Sequence, residues 1–294
     1  VDTLLVTVSD DRSGRKGGKY SETQDKVLQL FQACPQFGIT RFAFWKWPDI
    51  LATSFYLNNK KMLDHLDPAI NGRCYKPFAI LEGLKSLKDG DFLIYNDVSP
   101  EHWQKFNSIN TNVYDLDVIK GLCIQNGGIL SATSSYDTIF HATQENFTLE
   151  RCINKMGMQA YRHCLQHSSG MMMFQKDKKS MDFVEEWLHW NLDDECASIG
   201  SVEEDPAHLQ HAYWVAEVYH GIGKLGHRHD QSISGLLLNK MGNRLVDHRI
   251  AGGFALLDFC RRGERYQFID SVRPPLPYRL IYDHINARMT RVPR

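Results

Sequence analysis

The chain has no surplus of positive charge: 34 lysines and arginines stand against 35 acidic residues, giving a formal charge of −1. Proteins that hold bulk nucleic acid by neutralising phosphates need such a surplus, so nucleic acid is excluded as the main partner. No apolar run approaches the roughly 20 residues that span a bilayer, which excludes a membrane-crossing helix. The seven cysteines, at positions 34, 74, 123, 152, 164, 196 and 260, form no CxxC pair and share no regular spacing. Their odd count argues against a disulfide framework and favours a reducing, cytoplasmic setting. In that setting the glycosylation pattern Asn146-Phe147-Thr148 goes unused. A GxSxG elbow, a Walker loop and a GxGxxG turn are missing too. The GRKGG run at 14–18 has no helix immediately behind it, which removes the usual hydrolase, nucleotide triphosphatase and dehydrogenase readings. With no internal repeat and no low-complexity linker, one continuous domain over 1–294 is expected. The chain begins at Val1 rather than Met, which leaves room for a removed leader or a longer parent protein.

What is present suits a large core. Hydrophobic residues make up 43% of the chain and aromatics 11%, and a chain of this size buries about three quarters of its unfolded surface. Leu4 to Val8 is a short apolar run that stops at Ser9-Asp10-Asp11 and reads as a strand. Ser21 to Cys34 reads as a helix, N-capped by Ser21 and ended by Pro35 and Gly38. A strand at 39–45, helical material to Leu66, a helix at 76–87 and a strand at 91–95 follow. This strand-helix alternation implies an α/β fold with a mostly parallel, Rossmann-like central sheet flanked by helices. Further on, Ser99-Pro100-Glu101 has the form of a helix start, with helices at 118–125, 180–190, 208–219 and 231–241. Strands are expected at 128–132 and 171–174, and an acidic loop at 193–206. The Met171 to Met173 run and the Trp187/Trp190 stripe read as core.

In an open parallel sheet, ligands collect beyond the carboxyl ends of the strands. Two such places stand out, Thr7-Val8-Ser9-Asp10-Asp11 and Tyr95-Asn96-Asp97-Val98-Ser99. A carboxylate at the end of a buried strand can hold Mg²⁺ or Mn²⁺ against a diphosphate. Ser99 before Pro100 is the better helix cap, so Asp97 is not needed for that role. The literal triplets Asp89-Gly90-Asp91 and Asp115-Leu116-Asp117 are not metal sites: one precedes its strand, and the other sits where two acids meet a helix dipole. The second dense polar cluster is His227-Arg228-His229-Asp230-Gln231-Ser232. It suits a phosphate or sugar contact or a general base, with Asp230 as a mere helix cap the alternative. Its spacing is not that of a zinc site.

The blocks Tyr75-Lys76-Pro77-Phe78-Ala79-Ile80-Leu81-Glu82 and Asp89-Gly90-Asp91-Phe92-Leu93-Ile94-Tyr95-Asn96-Asp97, followed by His227-Arg228-His229-Asp230-Gln231-Ser232-Ile233, resemble a group of microbial and viral nucleotide-sugar glycosyltransferases. With Ser169-Gly170-Met171 and the 183–187 helix, the similarity spans about residues 40–240. It implies a single GT-A-like domain, with a nucleotide-binding half at about 1–130 and an acceptor-binding half with the C-terminal tail at about 131–294. It implies transfer of a sugar from a nucleoside-diphosphate donor to a hydroxyl of a glycan or other acceptor, with Mn²⁺ or Mg²⁺, as in polysaccharide biosynthesis. On the donor side it puts Thr7, Ser9, Asp10, Asp11 and Arg12 at the base and ribose, Lys76 at the diphosphate, and Asn96, Gly170, His229 and Gln231 along the nucleotide sugar. Asp97 matches the metal acid, although Asp97-Val98-Ser99 lacks the second acid of a DxD motif. His284, with His248 second, completes the metal shell, and Asp230 is the catalytic base or orients the sugar. The rivals are a non-catalytic nucleotide- or carbohydrate-binding protein on this scaffold, and a phosphosugar hydrolase or nucleotidyltransferase on another. The basic residues Arg12, Arg15, Lys16 and Lys19 and the arginine-rich stretch 261–294 are expected to face the anionic ligand.

Overall fold

The apolar run at 4–8 forms strand β1 (Thr3–Ser9), and every one of its residues is buried. The computed structural model describes residues 1–12, 19–64, 73–98, 116–133, 143–197, 229–246 and 268–269. After β1 come α1 (Tyr20–Ala33), β2 (Arg41–Lys46), α2 (Trp47–Leu51), α3 (Ser54–Leu63), α4 (Tyr75–Lys85) and β3 (Phe92–Asn96). The second half contributes α5 (Leu116–Gln125), β4 (Ile129–Thr133), α6 (Gln144–Phe147), α7 (Glu150–Lys155), β5 (His167–Gln175) and α8 (Lys178–Asn191). Then follow α9 (Asp194–Ala197), α10 (Asp230–Lys240), β6 (Leu245–Val246) and β7 (Phe268–Ile269). The helices expected after Ser99 and at 208–219 lie outside the described residues. Among those described, no helix is long and apolar enough to cross a membrane.

The strands lie in the order β2-β1-β3-β5-β4-β6-β7, the last two being two-residue additions to a five-stranded sheet. β1 pairs in parallel with β2 and β3, as the strand-helix alternation requires. β5 enters antiparallel between β3 and β4. β4 runs parallel to β6, which β7 joins antiparallel, so all strands except β5 and β7 share one direction and the α/β sheet is mixed. The apolar pattern reveals only the 171–174 part of β5. Its first residues, His167, Ser168 and Ser169, are polar yet buried.

Alternation of side chains across the pleat sorts the core into two layers. Leu4, Val6, Val8, Leu93, Tyr95, Met172 and Phe174 face one way. There they meet Phe78, Ile80 and Leu84 of α4, Phe183, Val184 and Trp187 of α8, and Ile233 and Leu236 of α10. Leu5, Phe92, Ile94, Met171 and Met173 face the other way, onto Val27 and Phe31 of α1 and Ile119 and Cys123 of α5. Each such side chain, fully buried, contributes about 1.5–3 kcal/mol from apolar transfer. α4 approaches the sheet closely because residue 83 is glycine: a Cβ there would stand 2.6 Å from Leu93 Cδ1 and 3.0 Å from Val6 Cγ2. Two helix starts differ from expectation. Ser21 does not cap α1; the Asp11 carboxylate accepts from the Tyr20 and Ser21 N–H groups at 2.8 and 3.2 Å. α8 begins earlier than its apolar face, with Asp177 and Ser180 capping each other reciprocally.

His167 ties β4, β5 and α10 together. Asn239 Nδ2 donates to Leu165 O at 3.1 Å, so its Oδ1 is free to accept from His167 Nε2 at 3.2 Å. His167 Nδ1 then accepts from Ser131 Oγ at 2.6 Å, which fixes a neutral ring. Burial lowers the pKa of this histidine from 6.5 to about 3. The unfolded chain therefore takes up a proton below its ordinary value that the folded chain refuses, and stability falls as pH falls. The expected slope is about 1.4 kcal/mol per pH unit, or about 2 kcal/mol by pH 5. Urea unfolding as a function of pH should show it, and His167→Gln should flatten it; an unchanged slope in the variant would rule out this ring as its source.

Candidate active site

β1 has β2 on one side and β3 on the other, so the chain switches direction across the sheet between β1 and β3, and a crevice is expected beyond their carboxyl ends. Three features converge there. Asp97 directly follows β3, and its N–H donates to Gly170 O at 2.7 Å. An antiparallel strand brings its beginning to where its parallel neighbours end, and this places Ser169 and Gly170 beside Asp97. The first turns of α4 and α10 supply Lys76 and Asp230.

These residues meet on one nitrogen. Lys76 is 2% exposed, and its Nζ lies 2.6 Å from Asp230 Oδ2 and 3.2 Å from Asp97 Oδ1. It also donates to Ser169 Oγ at 3.2 Å and Ser169 O at 3.4 Å. Ser169 Oγ in turn donates to Asp230 Oδ2 at 2.8 Å, and Trp187 Nε1 donates to Asp230 O at 2.9 Å. Tyr95 donates its hydroxyl to Asp97 Oδ1 at 2.7 Å, while its ring lies 5.3 Å from the ammonium. A cation in the first turn of a helix opposes the helix dipole, and the two carboxylates offset this. Burial raises the phenol pKa of Tyr75, reinforced by the charges of Asp10, Asp230 and Asp97 and opposed by that of Arg73. Burial also raises the pKa of Tyr95, again with Asp97 close by. Both phenols therefore remain neutral beside a charged centre, and Tyr95 is the one that donates to it. The Asp97 side chain is 33% exposed and that of Asp230 only 3%, so Asp97 is the carboxylate that faces the crevice.

The expected donor-site residues divide. Gln24 donates to Thr7 Oγ1 at 2.8 Å and accepts from Ser9 Oγ at 3.0 Å, all buried, so these hydroxyls are engaged in tying α1 to β1. Asp11 is taken by the start of α1. Asp10 and Arg12 form a two-pronged pair at 2.9 and 2.7 Å, with the guanidinium 3.1 Å from the centre of the Trp47 ring, and they stand at the crevice edge. Asn96 is buried and donates to Asp97 O at 2.7 Å, shaping the turn that carries the acid. Gly170 leaves room for that acid, since a Cβ would come within 3.2 Å of Asp97 Oδ2. His229 is buried, donates from Nδ1 to Ala197 O at 2.9 Å, and holds φ +48°, a strained value for a side-chain-bearing residue. Asp230 is the first residue of α10 and its side chain pairs with Lys76, so it is not the helix cap. Gln231 donates to Gln166 Oε1 at 2.9 Å. His284 and His248, the basic run at 13–18 and the arginine-rich tail lie outside the described residues.

A divalent ion at Asp97 does not suit this arrangement. Asp97 Oδ1 and Asp230 Oδ2 already share an ammonium, whose charge opposes a second cation there. Among the described residues, no group of three or more His, Cys, Asp or Glu side chains is placed to hold a metal. Tyr95 and Ser169 complete the site; both stand inside the blocks of the resemblance but were assigned no role there. Compared with known proteins, the chain matches no protein-family model, and no curated protein or solved structure shows significant similarity to it.

Removing one partner of a buried ion pair costs about 3–5 kcal/mol. Lys76→Met should therefore lower unfolding stability by that order in denaturant titrations at neutral pH. Adding Asp230→Asn to it should recover part of the loss. A Lys76→Met protein as stable as the parent would contradict the buried pairing.

Proposed function

We propose that the chain is a glycosyltransferase of GT-A type that moves a sugar from a nucleoside-diphosphate donor to a hydroxyl of a glycan or other acceptor. The observation that carries this reading is the Lys76 ammonium between Asp97 and Asp230. These residues belong to three separate sequence blocks of the resemblance, and they come together at the carboxyl ends of β1 and β3. In this reading the first half supplies the nucleotide side, with Asp10 and Arg12 at its edge, and the second half supplies the acceptor side.

The chemistry asked of such a site is stabilisation of a departing diphosphate. Preorganised positive ends do this without reorganisation, and here they are the amino ends of α4 and α10, while Lys76 offsets the two carboxylates that would otherwise repel the diphosphate. Lys76 does so from below the crevice floor, because its stem and ammonium are buried. In this reading Asp230 is a positioning residue that holds this ammonium, because its side chain is buried against Lys76 and a base must come within hydrogen-bond reach of the proton it takes. Where transfer inverts the anomeric centre, Asp97 is the carboxylate placed to receive the acceptor proton. Gly170 keeps the space beside it open.

A non-catalytic binding protein on the same scaffold is favoured by one observation, the single acid of Asn96-Asp97-Val98-Ser99, where a second carboxylate of the metal motif is missing. The two readings part on turnover. Melting the protein with UDP-, GDP-, CMP- and dTDP-linked sugars should give stabilisation by one class, and Asp97→Asn should lower transfer or donor hydrolysis by about 10²–10⁴-fold while the protein stays folded. Stabilisation without any turnover would select the binding protein, and no stabilisation by any donor would end both readings.

A further inference from the structure

We infer that Lys76 is itself the cation of this crevice: its ammonium fills the place between Asp97 and Asp230 that a divalent ion would need, and removing it turns their oxygens into a divalent-cation site. The four oxygens around Nζ are two carboxylate oxygens, a serine hydroxyl and a backbone carbonyl, at 2.6, 3.2, 3.2 and 3.4 Å. This is the hard-oxygen set that Mg²⁺, Mn²⁺ or Ca²⁺ takes. The distances suit N–H···O contacts and exceed the roughly 2.0–2.6 Å of such metal–oxygen bonds. The set is therefore drawn up around an ammonium, with the ligand types of a metal site.

The ammonium cannot readily leave. Lys76 sits in the first turn of α4, whose close approach to the sheet is set by Gly83 against Leu93 and Val6, and its side chain is buried along its length. Tyr95 fastens Asp97 from one side, and Ser169 fastens Asp230 from the other. A cation tethered in this way has no dissociation equilibrium. The chain would then differ from a metal-dependent transferase in needing no added divalent ion, and that consequence rests on the proposed donor reading. Occupation of the cation position by Lys76 does not.

The test uses Mn²⁺ alone, followed by the paramagnetic resonance signal of the free ion. The parent protein, residues 1–294, should bind no Mn²⁺ that Asp97→Asn abolishes, whereas Lys76→Met should bind one ion per chain, and Lys76→Met with Asp230→Asn should bind it at least about tenfold more weakly. Because Lys76→Met leaves two carboxylates without their counter-ion, its melting is also recorded with and without Mn²⁺. Mn²⁺ should raise the melting temperature of that variant and leave the parent unmoved. One ion bound by the parent and lost in Asp97→Asn would overturn the inference. So would a Lys76→Met protein that neither binds Mn²⁺ nor is stabilised or refolded by it. Neither result depends on whether a nucleotide sugar is the donor, so failure here leaves the transferase reading to be decided by its own assay.

Discussion

A buried lysine between two carboxylates is the constraint on which the rest of this crevice depends. Burying an ammonium is costly unless its charge is balanced and its protons have acceptors. Here Asp230, Asp97 and Ser169 meet that requirement from α10, from the end of β3 and from β5. Each of those side chains is fixed by something else: Asp97 by Tyr95, Asp230 by Ser169, and the start of α10 by Trp187 of α8. The polar centre thus has a second layer that holds it in one geometry. Its only partly open member is Asp97.

The fold was legible where apolar patterning is strong. β1, β3, α4 and α8 lie within a few residues of their expected bounds because their apolar residues are dense or fall on one helical face. The direction of β5 was not legible. Its first half is His167-Ser168-Ser169-Gly170, polar residues buried by hydrogen bonding, and hydrophobic period cannot see a strand of that kind. Helix starts were misplaced for a related reason. α1 is capped by Asp11, nine residues before Tyr20, so the cap is not adjacent in sequence to the helix it serves.

The site was legible in part. Strand-end reasoning selected Asp97, the dense polar cluster at 227–232 selected Asp230 and the resemblance selected Lys76, and the three meet in space. The same reasoning also selected Thr7, Ser9 and Asp11, which the chain uses to fasten α1. A small polar residue at a strand end can turn toward a ligand or toward the next helix. Which of these it does depends on Gln24, seventeen residues beyond Thr7, and no local pattern reveals that. The assignment of a metal to Asp97 weighed its carboxylate but could not weigh the lysine, because two positions twenty-one residues apart carry no sign that they touch.

The pair formed by Lys76 and Asp230 has a further consequence, in the order of events during folding. The two residues are separated by about half the chain, and contacts of such long range close late, after the entropy of the intervening loop has been overcome. β1, β2, α4 and β3 can associate through local parallel crossovers before α10 exists, but they then carry an ammonium that only a distant segment can neutralise. The first half of the chain, emerging during synthesis, holds an incomplete polar centre in its interior. Docking of α10 is the step that makes this centre compatible with burial, so a chain that has reached its working crevice has also finished folding.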